Sequence, residues 1–167
     1  MAVNRGKQFE DVIRKSFEKV EGVSIDRLHD QTTGYMGSQN ICDFIVYKEP
    51  YEYYIECKSV HGNTLPFSNI TETQWNGLFE KSKIEGVFAG VICWFINKDV
   101  TLFISIQSLE QRRVLGYKSV RYDSYYTDPL NLIDTIRIQG KKKRVFFDYD
   151  MEAFLNEFTD RYSTGSL

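Results

Sequence analysis

Residues 41–58 read Ile-Cys-Asp43-Phe-Ile-Val-Tyr-Lys-Glu-Pro-Tyr-Glu-Tyr-Tyr-Ile-Glu56-Cys-Lys58. Two β-rich runs flank Lys48-Glu49-Pro50, and each carries charge where an ordinary core strand carries none. Side chains at i and i+2 of a strand share a face, roughly 7 Å apart, so Glu56 and Lys58 emerge together while Cys57 points away. The same alternation sets Asp43 on the face of Ile41 and Ile45. If the runs pair as a hairpin, two carboxylates and an ammonium converge. Carboxylate oxygens are the hard ligands that Mg²⁺ or Mn²⁺ prefers, and a neighbouring lysine can position a water or stabilise charge on a phosphate. Such a set supports metal-dependent phosphodiester hydrolysis.

Upstream, Asn4 caps a helix predicted to run to about Val20, with Phe9, Val12, Ile13, Phe17 and Val20 as one apolar stripe. Glu10 borders that stripe, and its alternatives are a surface carboxylate and a further member of the acidic set. The helix stops near Gly22, and Val23 to Leu28 alternates as a strand. Residues 29–40 form a glycine-bearing polar loop that delivers the chain into Asp43.

Downstream, Thr71-Glu-Thr-Gln74 has capping-box spacing, with Trp75, Leu78 and Phe79 on the apolar face of a helix to about Lys83. Gln74 is thus either a backbone cap or a group reaching the charged strands. Val87 to Ile96 is a nearly continuous apolar run, suited to a central strand covered on both faces. A turn at Asn97-Lys98-Asp99 leads into a strand from Val100 to Ile106, and Ser108 is expected to cap a short helix through Leu115. The piece Gly116 to Tyr126 mixes Lys118 and Arg121 with tyrosines, a mixture that can follow phosphates and stack on bases. Ile133 to Ile138 and Arg144 to Phe147 are predicted to form a hairpin around Gly140, with Lys141, Lys142, Lys143 and Arg144 at its tip. The alternatives for this run are solvated charge and a phosphate-contacting prong. A last helix from about Asp150 to Tyr162 spaces Met151, Phe154, Leu155 and Phe158 for burial.

At 167 residues with 42% hydrophobic and 26% charged residues, the chain is predicted to be one soluble domain. Its net charge of −2 excludes bulk electrostatic coating of nucleic acid but not a local basic surface. Cys42, Cys57 and Cys93 lie in apolar runs without CxxC spacing, which argues for buried thiols and against a zinc site. Neither a signal peptide nor a membrane span is expected, so the predicted location is cytoplasmic.

The order of helix with Glu10, strand, strand with Asp43, strand with Glu56-Cys57-Lys58, helix with Gln74 and apolar strand resembles the PD-(D/E)XK nuclease superfamily. Within it, Arg5-Gly6-Lys7, Phe9-Glu10, Cys42-Asp43-Phe44, Glu56-Cys57-Lys58, Phe67 with Thr73-Gln74, and Gly116-Tyr-Lys118-Ser-Val120 resemble the RecU-type Holliday junction resolvases of bacteria and phages. The resemblance covers residues 4 to about 126. It implies a restriction-endonuclease-like α/β fold with a central mixed sheet flanked by helices. It further implies a divalent cation on Asp43 and Glu56, with the Cys57 carbonyl as third ligand and Glu10 completing the cluster. Lys58 would activate the attacking water, and Gln74 would hold the lysine or the water. A homodimer would nick opposing strands of a four-way junction by in-line attack, leaving 5'-phosphates. Arg5 and Lys7 join the cationic pieces above as DNA contacts.

The chain departs from that pattern in three places. Cys42 stands where the motif's name has proline. A long stalk before the motif aspartate in bacterial members is reduced here to residues 29–40, which with Ser38 look more like the archaeal resolvases, whose loop contributes a serine. The tail after Tyr126 has no counterpart. The alternatives are a restriction- or repair-type endonuclease on the same fold and a non-catalytic DNA-binding module. An uncompensated acidic cluster repels phosphate, which counts against the latter.

Overall fold

A computed structural model describes residues 4–29, 39–127 and 135–165. Six strands form the central sheet. These are β1 (Val23–Arg27), β2 (Phe44–Lys48), β3 (Tyr51–Val60), β5 (Val87–Phe95), β6 (Val100–Ser105) and β8 (Thr135–Arg137), in spatial order β1-β2-β3-β5-β6-β8. All neighbours are antiparallel except β3 and β5. That parallel pair requires a crossover, which α2 (Glu72–Ser82) supplies. A short ribbon of β4 (Thr64–Pro66) and β7 (Ser119–Arg121) lies beyond the end of β3.

Alternation along β3 sorts the molecule into two layers of core. Tyr53, Ile55 and Cys57 face α1 (Arg5–Glu18) and α5 (Met151–Gly165), where Phe9, Ile13, Phe17, Phe154 and Phe158 are buried. Tyr54 faces α2 and α3 (Ile106–Val114), among Trp75, Leu78, Val91 and Leu109. Much of the aromatic content packs on the α5 side, as in the edge-on contacts of Phe88 with Phe158 and Tyr162. Each such buried side chain contributes about 1.5–3 kcal/mol of transfer free energy.

Asn4 accepts from the Lys7 amide and starts α1, as its sequence predicts. Two expectations are corrected. The cap of α3 is Ser105, whose backbone is extended and whose Oγ accepts from the Ser108 amide at 3.1 Å; Ser108 lies inside the helix and accepts from Arg112. The predicted hairpin of residues 133–138 with 144–147 does not form. Residues 135–137 instead complete the main sheet beside β6, because Ile136 can be buried there. The hairpin pairs β9 (Gly140–Lys142) with β10 (Phe147–Tyr149), and a turn closes it with the Lys143 amide on the Phe146 carbonyl. A Cβ on Gly140 would stand 2.9 Å from the Asp148 carbonyl, so the crossing needs glycine. Tyr149 anchors this ribbon by its hydrogen bond to Thr101 and its amide's bond to Ser16 of α1.

Candidate active site

Asp43 stands one residue before β2, with its backbone pinned from both sides. Its amide donates to the Ile55 carbonyl at 3.1 Å and its carbonyl accepts from the Leu28 amide at 2.8 Å. Its Oδ2 accepts from the Cys57 amide at 2.8 Å, which aims the carboxylate along β3 toward Glu56. The Asp43 and Glu56 carboxyl groups hydrogen-bond to each other. Glu56 is 4% exposed, and its Oε1 is 2.9 Å from Gln74 Nε2 and 3.2 Å from Lys58 Nζ.

Gln74 caps its helix and reaches the charged strands at once, with Glu56 as the group it holds. Its Oε1 accepts from the Thr71 amide in a complete capping box, and its Nε2 donates to Glu56. The cap fixes the χ angles that deliver the amide to the carboxylate. Gly77 tightens the same side of the site, since a Cβ there would fall 2.2 Å from Ile41 Cγ2. A glycine inside α2 costs about 1 kcal/mol of helix propensity, and it lets residue 41, two before Asp43, lie against the helix.

The electrostatics follow from burial. Desolvation, then the charge of Asp43, pushes the Glu56 carboxyl up to about 8, against the lowering influence of Lys58. Burial also raises Asp43, opposed by the Cys57 amide and the Glu56 hydrogen bond. A charged carboxylate disfavours a second one beside it, and Lys58 at 3.2 Å offsets part of that penalty at Glu56. Cys42 and Cys57, held protonated by burial, offer no thiolate. The Cys57 side chain is on the α1 face, so only its backbone reaches the carboxylates.

Glu10 reaches the site's rim from α1. Its Oε2 forms an ion pair with Arg27 at 2.6 Å, and burial and then Asp43 raise its pKa. Arg27 was not anticipated as a site residue. Its signal was available, because Val23, Ile25 and Arg27 share one face of β1, a cation continuing an apolar stripe as Lys58 follows the buried face of β3. Glu10, Arg27, Asn40, Asp43, Glu56 and Gln74 line a cavity of about 160 Å³.

Among the described residues, no three His, Cys, Asp or Glu side chains form a ready-made metal cage. The donor set suits a different binding mode. Mg²⁺ keeps several waters and takes one or two carboxylates plus substrate oxygens, and this cavity provides two coupled carboxylates with room for water. The residues present therefore fit a hydrated divalent cation on Asp43 and Glu56, with Glu10 drawn aside by Arg27.

The basic residues flank this end of the sheet from both layers. On the α1 side the β9–β10 tip carries exposed Lys143 and Arg144, and its Phe146 lies under the Arg5 guanidinium at 5.7 Å. Lys7, on the next residues of α1, is close enough to lower the Glu10 pKa. Lys141 and Lys142 lie on β9 itself, below the tip, and Lys142 pairs with Asp99 at 2.6 Å. On the α2 side exposed Lys118 precedes β7, and Arg121 on that strand pairs with Asp123. Ser38 lies outside the described residues.

The sequence matches no family model and no curated protein. Solved structures do match. One of them is the Holliday junction resolvase Hjc of Archaeoglobus fulgidus, an archaeal hyperthermophile, at a TM-score of 0.51 and 20% identity over 72% of this chain and 91% of that one. The fold is restriction-endonuclease-like. At that identity the likeness speaks to architecture, and the chemistry rests on the residues above. Among the described residues, no helix is long and apolar enough to cross a membrane.

Proposed function

We propose that this chain is a divalent-metal-dependent endodeoxyribonuclease acting on branched DNA, four-way junctions in particular, as a single nuclease domain that works as a homodimer in the cytoplasm of a bacterial cell, encoded there or by a phage. The observation that carries the reading is the buried Asp43–Glu56 pair in contact with Lys58 and Gln74 at the mouth of a small polar cavity. The likeness to a resolvase of the same fold supports the substrate class.

Asp43 and Glu56 would hold Mg²⁺ or Mn²⁺, with the Cys57 carbonyl as a further oxygen and Glu10, paired with Arg27 at the rim, completing the cluster through water. When bound, the cation supplies charge neutralisation for the pair and for a non-bridging phosphate oxygen. The chain's own groups do the rest. Gln74 keeps one Glu56 oxygen from rotating, and the Cys57 amide does the same for Asp43. Lys58 stands beside the carboxylates, where its ammonium can orient a water for in-line attack and balance charge on the phosphorane-like transition state. Arg27 steers Glu10 toward the rim, at the side where a phosphate would enter. Arg5, Lys7, Lys118 and the β9–β10 cations would hold the backbone on either side.

The test is direct. Purified protein is given a four-way junction and a linear duplex of matched sequence, each with Mg²⁺, Mn²⁺ or EDTA. The reading expects metal-dependent cuts near the branch and slower attack on the linear DNA. Cleavage of neither substrate would refute the enzyme, and equal rates on both would refute branch selectivity.

A further inference from the structure

One surface patch lies outside the chemistry above. Val114 is 76% exposed, Leu115 56% and Tyr117 52%, three of the large apolar side chains left open among the described residues, within a span of four positions. Singly exposed apolar residues need no explanation, but three adjacent ones at one rigid point do. The point is rigid because α3 ends in a full Schellman arrangement. Gly116 adopts φ +95°, its amide donates to the Arg113 carbonyl and that of Tyr117 donates to the Arg112 carbonyl, both at 3.0 Å. One residue further on, the Lys118 carbonyl accepts from the Phe67 amide at 2.9 Å. No Cβ at Gly116 would meet anything within 4 Å, so the tip projects into open space.

Its position ties it to the site. Arg113 lies over the Trp75 ring at 4.4 Å, Trp75 Nε1 donates to Glu110 at 2.6 Å, and Glu110 pairs with Arg113. Gln74, the residue before Trp75, is the one that holds Glu56. The tip is therefore two contacts from the carboxylate pair, on the α2 side, opposite the basic ribbon on the α1 side.

Three part-exposed side chains offer roughly 300 Å² together, well below the ~800 Å² per partner of a stable protein interface. Of the cations flanking the tip, Arg113 is paired with Glu110, whereas Lys118 is exposed and suits a phosphate. An intact duplex hides its base faces in the stack, whereas a branch point exposes the faces of the terminal pairs of each arm, where apolar side chains can pack at low unstacking cost. We propose that Val114, Leu115 and Tyr117 form a wedge that packs on the exposed base faces at a DNA branch, with Lys118 on an adjoining phosphate. The wedge rests on the reading of the protein as a branched-DNA nuclease, and it names the element that recognises the branch.

The experiment compares the full chain with its Val114→Ser, Leu115→Ser, Tyr117→Ser triple variant, all at surface positions. Binding is measured to a four-way junction carrying 2-aminopurine at the branch and to a linear duplex of equal length. The wedge expects junction affinity to fall about ten-fold or more and duplex affinity to hold within about two-fold, since a stacked contact governs only the former. It also expects the wild-type fluorescence rise to vanish, and the Leu115→Met, Tyr117→Phe variant to keep both. Equal losses on the two DNAs, or an unchanged junction affinity, would overturn it. So would a change of oligomeric state by light scattering, which would assign the patch to a second copy. Absence of Mg²⁺-dependent cleavage by the wild type would count against the nuclease reading alone, because the binding ratio judges the wedge separately.

Discussion

Two cavities lie at opposite ends of the β3–β5 pair, and the smaller holds the buried carboxyl groups. The larger, about 550 Å³, opens where β5 begins, between the end of α2 and the last turns of α5. Its cations, Lys83 and Arg161, pair with Glu80 and Glu157 of their own helices, and their side chains are 54% and 39% exposed. The cavity of about 160 Å³ at the other end contains a carboxyl side chain only 5% exposed, in contact with a second one. Volume measures how much could fit. Desolvated charge measures how much the fold spends to keep a reactive group, and only the smaller cavity carries it.

The strongest way to break this contrast is substitution at both ends. Asp43→Asn or Glu56→Gln should lower metal-dependent cleavage at least ~10²-fold, while DNA binding survives. Lys83→Ala in the larger cavity should leave the rate within about two-fold. If Lys83→Ala cost as much as Asp43→Asn in single-turnover cleavage, the assignment of the centre would be reversed.

A second pair of variants tests whether the small cavity depends on its close packing. Gly77→Ala forces Ile41 away from α2. Overpacking of ~1–3 kcal/mol should exceed the ~1 kcal/mol gain in helix propensity, and cleavage should fall further than the melting temperature explains. Gly62→Ala, with nothing within 4 Å of the new methyl, should alter neither.

The raised Glu56 carboxyl makes the contrast visible in stability. With EDTA present, folded Glu56 titrates near 8 against an ordinary value of 4.5. Between those limits the native state binds a proton that the unfolded chain has lost, so stability is fully present below pH ~4.5 and declines as pH rises toward 8. Denaturant melts at pH 5 and pH 8 should show the decline, on the order of a few kcal/mol for so buried a group, and Glu56→Gln should flatten it.

The smallest effects belong to the basic ribbon. Lys141→Ala, Lys142→Ala and Lys143→Ala together should weaken DNA binding and reduce the salt dependence by about one unit of slope per lost phosphate contact. Lys142 should account for the least, because Asp99 already pairs with it. An unchanged slope in a salt titration would make the ribbon ordinary solvated surface.

Local periodicity in the sequence was enough to place the charged pair. The alternation around Asp43, Glu56 and Lys58, the stripe of α1 and the capping box of Gln74 are all relations between residues a few positions apart, which backbone geometry makes legible. The mixed sheet with helices on both faces was implied by the resemblance to the nuclease superfamily, and it is what the fold has. Tertiary structure alone decided three things. It placed residues 135–137 on the open edge of β6 and moved the hairpin downstream, a choice settled by contacts such as Thr101 with Tyr149 across 48 positions. It started α3 at Ser105, where the strand's own last residue had the extended backbone a cap requires. It also set Glu10 against Arg27, 17 residues away, at the rim of the cavity that the carboxylate pair lines. Each outcome depends on which unsatisfied edge or charge lies nearby in space, and spacing along the chain does not encode that.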